Sequence, residues 1–164
     1  MKSTRWHLSG AYDMNINERL LRLRPPRIAM SMVLVAVAVH FLASLQLHTA
    51  LPIAGLVIGS AGFLVMIRAW WLFKVADTAI CPTAASSSLV TDDVFSVSRN
   101  PMYLGMILML AAIAVAVGSA PFYVALAAFG ATIDRAFCPF EEQKLRVEFG
   151  DTYEAYASKV RRWL

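Results

Sequence analysis

The chain has 164 residues, enough for one domain, and 59% of them are hydrophobic, with a mean hydropathy of +0.59. That composition lies far above what a water-soluble globule carries and points to a membrane protein. The formal net charge of +4 then reads as orientation in a bilayer and attraction to anionic head groups, and gives no argument for a nucleic-acid partner.

The chain opens with a basic segment, residues 1–27. Within it Asn17-Glu18-Arg19-Leu20-Leu21-Arg22-Leu23-Arg24 has the pattern of a short amphipathic helix stopped by Pro25-Pro26, suited to lying among head groups. Four apolar runs follow, 28–47, 51–73, 102–117 and 120–137, each long enough or nearly so to cross a hydrocarbon layer. The first starts after a long polar stretch and exceeds a signal-peptide core, so no cleaved signal is expected. His40 and Gln46 inside it read as hydrogen-bonded packing residues. In the second run Gly55 and Gly59, with Ser60 and Gly62, form a small-residue face that lets another helix approach, either an internal neighbour or a second copy. Arg68 either snorkels to the membrane surface or points into a cavity.

The connectors 48–50 and 118–119 carry no Lys or Arg, whereas Lys2 to Arg27, Lys74 to Arg99 and Arg135 to Arg162 carry all the basic residues outside the apolar runs. The positive-inside rule places both termini and the loop 74–98 in the cytoplasm. Cys81 and Cys138 fall on that reducing side, far apart and without a ligand partner, so neither reads as a disulfide or a metal site.

Within the loop, Leu89-Val90-Thr91-Asp92-Asp93-Val94-Phe95 carries apolar residues that would not be left in water. It is expected to be ordered and to pack over the helix start at Asn100, with Ser86-Ser87-Ser88 as plain linker. At Ser98-Arg99-Asn100-Pro101, Pro101 suits a first helical turn and Asn100 can cap it with its side chain. The free N–H groups of that turn, with Arg99, suit a carboxylate or phosphate. Gly118-Ser119 makes the next two runs an antiparallel hairpin.

After Phe137 the character changes. Pro139 is expected to open a new helix that Gly150 closes, and Asp151 with Glu154 starts another. Phe149, Tyr153, Tyr156, Val160 and Trp163 recur at steps of three and four, an aromatic stripe that must lie on something. Positions 142, 145, 149 and 153 share a helix face, so Glu142 is expected to turn inward and Glu141 to be more solvated. The surface alternatives are ion pairs of Glu142 with Arg146 and of Glu141 with Lys144. The expected fold is all-α: an integral membrane protein with four transmembrane helices and a cytoplasmic amphipathic C-terminal helical tail. It forms one domain over 1–164, divided into the basic segment 1–27, a first helical pair 28–73, the loop 74–98, and a hairpin with tail 99–164.

Leu89-Val90-Thr91, Arg99-Asn100-Pro101-Met102-Tyr103-Leu104-Gly105, Glu141-Glu142 with Leu145, and Phe149-Gly150-Asp151-Thr152-Tyr153 with Tyr156 and Val160 together resemble the isoprenylcysteine carboxyl methyltransferase family and the related phospholipid methyltransferases. The resemblance runs from about Leu89 to the C-terminus and implies S-adenosylmethionine as cofactor. It implies catalytic roles for Arg99, Glu142 and Tyr153, and a cofactor pocket made by Val90, Phe95, Asn100, Tyr103, Gly105, Glu141 and Glu142, with no metal. It further implies a lipophilic substrate that enters from the bilayer. Carboxyl O-methylation of an isoprenylcysteine-like acceptor fits it most closely, with a phospholipid amine or small thiol as alternatives, in a protein of the bacterial inner membrane. Asn100 stands where the family has His, which removes a titrating imidazole, and Asp93 stands where Gly is common. Membrane sterol reductases, which share an Arg-His-Pro-x-Tyr helix start and bind NADPH, and a non-enzymatic scaffold are the competing classes. The sequence leaves the oligomeric state open.

Overall fold

Proline starts several of the described helices: Pro52, Pro101 and Pro121 each occupy the first or second helical position, where a missing N–H costs nothing and a fixed φ helps. The computed structural model describes residues 24–43, 47, 50–78 and 87–164; the segment 17–23, Gln46, Cys81 and Ser86 lie outside them. The described regular structure is all helical: α1 (Pro25–Ala43), α2 (Pro52–Val75), a 3₁₀ turn (Asp93–Ser96), α3 (Pro101–Val117), α4 (Ala120–Thr132), a π-helical turn (Ile133–Phe137), α5 (Cys138–Phe149) and α6 (Asp151–Ala157).

By length and apolar composition two helices, α1 and α2, can cross a membrane. The third apolar helix, α3, has 17 residues and so spans about 25 Å, against roughly 30 Å of hydrocarbon.

The helix α3 is packed backbone to backbone against α2. A Cβ on Gly55 would lie 2.7 Å from the Ala112 carbonyl oxygen, one on Gly62 2.7 Å from Leu108 Cβ, and one on Gly105 2.7 Å from the Gly62 carbonyl oxygen. Only glycine permits that approach, so the small-residue face of α2 serves an internal neighbour. On the other side α4 lies against α3 and α1. Tyr103, Met106, Phe129, Ile133, Phe137 and Cys138 form one core with Ile28, and Ala36, Ala114, Phe122 and Ala125 form a second. Gly118, in the left-handed region at φ 64°, ends α3. His40 Nδ1 lies 2.8 Å from Ser119 Oγ, which fastens α1 to that turn.

Pro139 does not open a separate helix. The chain continues helically from α4 through the π turn into α5, and the Cys138 N–H bonds back to the Ile133 carbonyl, five residues earlier. Continued by one residue, that pattern would pair residue 139 with the Asp134 carbonyl, but proline has no N–H to give. The wider turn absorbs the proline without a break, and the released carbonyl accepts from Arg162 Nη1 at 3.4 Å.

The serines after the loop's start are more than linker. The Ser87 N–H donates to Thr78 Oγ1 at 3.1 Å and Ser88 Oγ to the Ala76 carbonyl at 3.0 Å, which ties the returning chain to the end of α2. Asp93 then adopts φ 57°, a conformation that glycine takes freely and aspartate tolerates better than most residues. Its carboxylate accepts from Arg68 Nε at 2.8 Å, so Arg68 on α2 grips the loop. Arg68 also holds the Asp93 carboxyl below its ordinary range.

Candidate functional site

Where α3 begins, its first turn meets the loop, α5 and α6 around a cavity of about 350 Å³. Every side chain expected at the site lines this cavity except Gly105: Val90, Phe95, Arg99, Asn100, Tyr103, Glu141, Glu142 and Tyr153. Gly105 belongs to the α2–α3 contact, with its would-be Cβ 2.8 Å from Met66 Cβ, so its part is to bring α3 against α2. The loop contributes Leu89, Val90 and Phe95, and α1 contributes Pro25 and Pro26 at its start.

Glu142 is buried and its partner is not Arg146. Arg162 grips it with two parallel bonds, Nε to Oε1 at 2.8 Å and Nη2 to Oε2 at 2.9 Å, the bidentate form that a guanidinium makes with a carboxylate. Arg99 Nη2 stands farther from Glu142, at 3.4 Å, and Arg99 Nη1 donates to the Tyr153 hydroxyl at 3.2 Å. The Nε of Arg99 is buried and has no hydrogen-bond partner. Among the described residues it is the buried side-chain polar atom left unsatisfied, the kind of donor that a ligand completes.

Glu141 is, as expected, more exposed than Glu142, but only partly so, and it too meets the cavity: its Oε1 accepts from the Tyr103 hydroxyl at 2.6 Å. Burial pushes its carboxyl up to about 7 even though the Tyr103 hydrogen bond and the charge of Lys144 act the other way. Lys144, expected as its surface partner, instead lies 4.0 Å from Glu148. One turn of helix therefore presents two carboxyls of different character to the same cavity, Glu142 between two guanidiniums and Glu141 beside a phenol.

Asn100 is a correction to the sequence reading. Its side chain makes no cap on α3; its Nδ2 donates to the Arg162 carbonyl at 3.3 Å, and its backbone N–H donates to Ser98 Oγ at 3.2 Å. The side chain that was expected to satisfy the first turn is spent on the C-terminal segment. The first-turn N–H groups remain directed at the cavity end of α3.

The aromatic stripe of the tail lies on this site. Tyr153 and Tyr156 are buried, Tyr156 donates to the Phe95 carbonyl at 2.6 Å, and Trp163 packs against the core around Tyr103. Burial raises both phenols above their ordinary range, which keeps them neutral donors. Arg146 lies over the Tyr153 ring, 5.9 Å from its centroid, and pairs with Glu154 at 2.8 Å.

Sequence reasoning missed Arg162, Asp134 and the Tyr156 hydroxyl. Arg162 Nη1 also reaches Asp134 Oδ1 at 3.2 Å, and the Trp163 indole donates to the same oxygen at 2.9 Å. Trp163 belongs to the tail's periodic stripe, and that was the available signal; a partner for Asp134 had none.

The geometry is thus a mostly apolar cavity with an ionic wall, where Arg99, three tyrosines and a carboxyl pushed up to about 7 come together. No curated protein sequence and no solved structure matches this chain. The phospholipid methyltransferase family matches residues 26–152, most of the chain and most of the cavity's lining, with Tyr153 and Tyr156 just beyond it. With that match, and with helices long enough to enter a bilayer, the chain belongs to the phospholipid methyltransferase family of membrane methyltransferases.

Proposed function

We propose that the cavity binds S-adenosylmethionine and that the protein transfers a methyl group to a lipophilic acceptor drawn from the bilayer. The observation that carries this reading is the convergence of Arg99, Tyr103, Glu141, Glu142 and Tyr153 on one cavity of about 350 Å³ in a chain of this family. The volume is within the range of small-molecule sites, roughly 300 to 1,000 Å³. The residues fit the cofactor group by group. Arg99 on the cavity wall and the start of α3 suit a carboxylate, the tyrosine faces and the glutamates suit a cationic sulfonium, and Leu89, Val90 and Phe95 offer apolar surface for a base.

When bound, the cofactor supplies an electrophilic methyl carbon whose bond to sulfur breaks as the bond to the acceptor forms. The chain's part is to orient and to shield. Arg99 and Tyr153 hold one end of the cavity, Phe95 closes the loop side with its carbonyl tied to Tyr156, and the Arg68 grip on Asp93 keeps that loop in place. Positioning of this kind supplies much of the rate in an in-line displacement.

Two acceptors fit. A prenylated cysteine carboxylate is already nucleophilic and needs no base, which agrees with Asn100 in place of histidine. A phospholipid amine arrives as an ammonium and must lose a proton first; Glu141, titrating at about 7 on the cavity wall, is suited to take it. That carboxyl favours the amine. Around the site, α1 to α4 are proposed to cross the bilayer with both termini in the cytoplasm, in line with the distribution of Lys and Arg.

Calorimetric titration of the purified protein with S-adenosylhomocysteine tests the cofactor. Binding is expected in the micromolar range, and no heat with no thermal stabilisation at millimolar ligand sinks the reading. Radiolabelled methyl transfer to phosphatidylethanolamine vesicles and to an N-acetyl-S-farnesylcysteine then separates the acceptors. Label in the second alone would assign the carboxylate.

A further inference from the structure

The family match ends at residue 152, yet the residues after it close the site. The segment that follows α6 returns to the start of α3, where the Arg161 carbonyl accepts from the Arg99 N–H at 3.0 Å and the Arg162 carbonyl accepts from Ser98 Oγ at 3.0 Å and Asn100 Nδ2 at 3.3 Å. The Arg162 side chain then crosses to the long α4–α5 helix and bridges two acids on it, Glu142 and Asp134. One residue joins the loop before α3, the π turn and α5.

The consequence lies in how the cations are shared. Glu142 has both oxygens taken by Arg162 at 2.8 and 2.9 Å, so Arg99, at 3.4 Å, is only its secondary partner. Without Arg162, Glu142 would be a buried carboxylate whose remaining cation is Arg99, and Arg99 would swing fully onto it. Arg99 lines the cavity and is only a secondary partner of Glu142 because another guanidinium has satisfied the acid.

We propose that Arg162 is a positioning residue of the cavity: by satisfying Glu142 from behind, it leaves the Arg99 guanidinium available to an anionic group of the ligand. This rests on the methyltransferase reading, with the carboxylate of the cofactor as the anionic group. Arg162 does not line the cavity. It acts through Glu142 and through the backbone of the α3 start, and the part of the chain beyond the family match is therefore a working part of the site.

The test is a double-mutant cycle on the full chain, read by titration with S-adenosylhomocysteine and, separately, by ligand-free melting. Arg162→Gln is expected to weaken binding about ten- to a hundredfold, and Arg162→Lys to recover little of it, because an ammonium cannot bridge both Glu142 oxygens. In the Glu142→Gln background the further loss on Arg162→Gln should be under about twofold, since the group it acts through is gone. Equal affinity of Arg162→Gln and the unaltered protein overturns the proposal, and so does a full additional loss in the double variant. Should Arg162→Gln not fold, Asp134→Asn removes its second anchor from outside the cavity lining. It is expected to weaken binding a few-fold, and unchanged affinity there is equally fatal. If the unaltered protein binds no S-adenosylhomocysteine, the methyltransferase reading falls instead. The pairing is then judged by the melting cycle, where additive shifts reject it and non-additive shifts support it.

Discussion

The Tyr103 hydroxyl donates to Oε1 of Glu141 at 2.6 Å, joining the first turn of α3 to the first turn of α5 across the cavity wall. It is a contact between a phenol and a half-buried carboxyl pushed up to about 7, so it ties the geometry of the site to pH.

Between the ordinary value of 4.5 and about 7 the folded chain holds a proton on Glu141 that the unfolded chain has lost. Stability contributed by this group is therefore complete below about pH 4.5 and falls as pH rises through the window, by about 3 kcal/mol at most. The melting temperature of the ligand-free protein is expected to drop between pH 5 and pH 7.5. Glu141→Gln should flatten that slope, and Tyr103→Phe, which removes a bond favouring the ionised form, should extend it upward. Equal slopes in wild type and Glu141→Gln would rule out this origin.

Glu142→Gln leaves Arg99 and Arg162 facing a neutral amide. Losing a charged hydrogen-bond partner in a buried place costs roughly 1.5 to 3 kcal/mol, about ten- to a hundredfold in an equilibrium constant. Affinity for S-adenosylhomocysteine should fall by that factor in Glu142→Gln and by clearly less in Glu141→Gln, whose side chain is already about half protonated at pH 7. A greater loss in Glu141→Gln than in Glu142→Gln would assign the cofactor-facing role to Glu141.

Gly105→Ala is predicted to act on folding and not on the ligand. Its new methyl would stand 2.7 Å from the Gly62 carbonyl oxygen, an overpacking that typically costs about 1 to 3 kcal/mol. Melting temperature and yield should fall, while the dissociation constant per folded molecule stays within about twofold of wild type. A selective loss of affinity at unchanged melting temperature would return Gly105 to the binding site.

The segment from Leu89 to Phe95 is predicted to exchange its amides more slowly once S-adenosylhomocysteine is bound, as a wall of the cavity should. Tyr156→Phe removes the 2.6 Å bond to the Phe95 carbonyl, worth about 1 kcal/mol. Exchange near Phe95 should then quicken several-fold in the ligand-free protein. Protection confined to α3 and α4 would show that the segment does not cover the ligand.

Periodicity and composition alone determined the apolar runs, the helix start at Pro101, the glycine face of α2, and the inward phase of Glu142. Each of these follows from bond geometry within a turn or two of helix, where a step of 3.6 residues decides which side chains share a face. They were legible because they are local. The tertiary structure decided the rest: that α2 spends its glycines on α3, that Pro139 is absorbed in a π turn, that Asn100 answers the Arg162 carbonyl 62 residues away, and that Tyr103 meets Glu141 across 38 residues. Glu142 shows the division most clearly. Its direction was written in the helix, but its partner Arg162, 20 residues on, was chosen by how the returning segment packs, and the local i,i+4 rule pointed to Arg146 instead. Which cation reaches a buried carboxylate with both nitrogens aligned is a property of the assembled site.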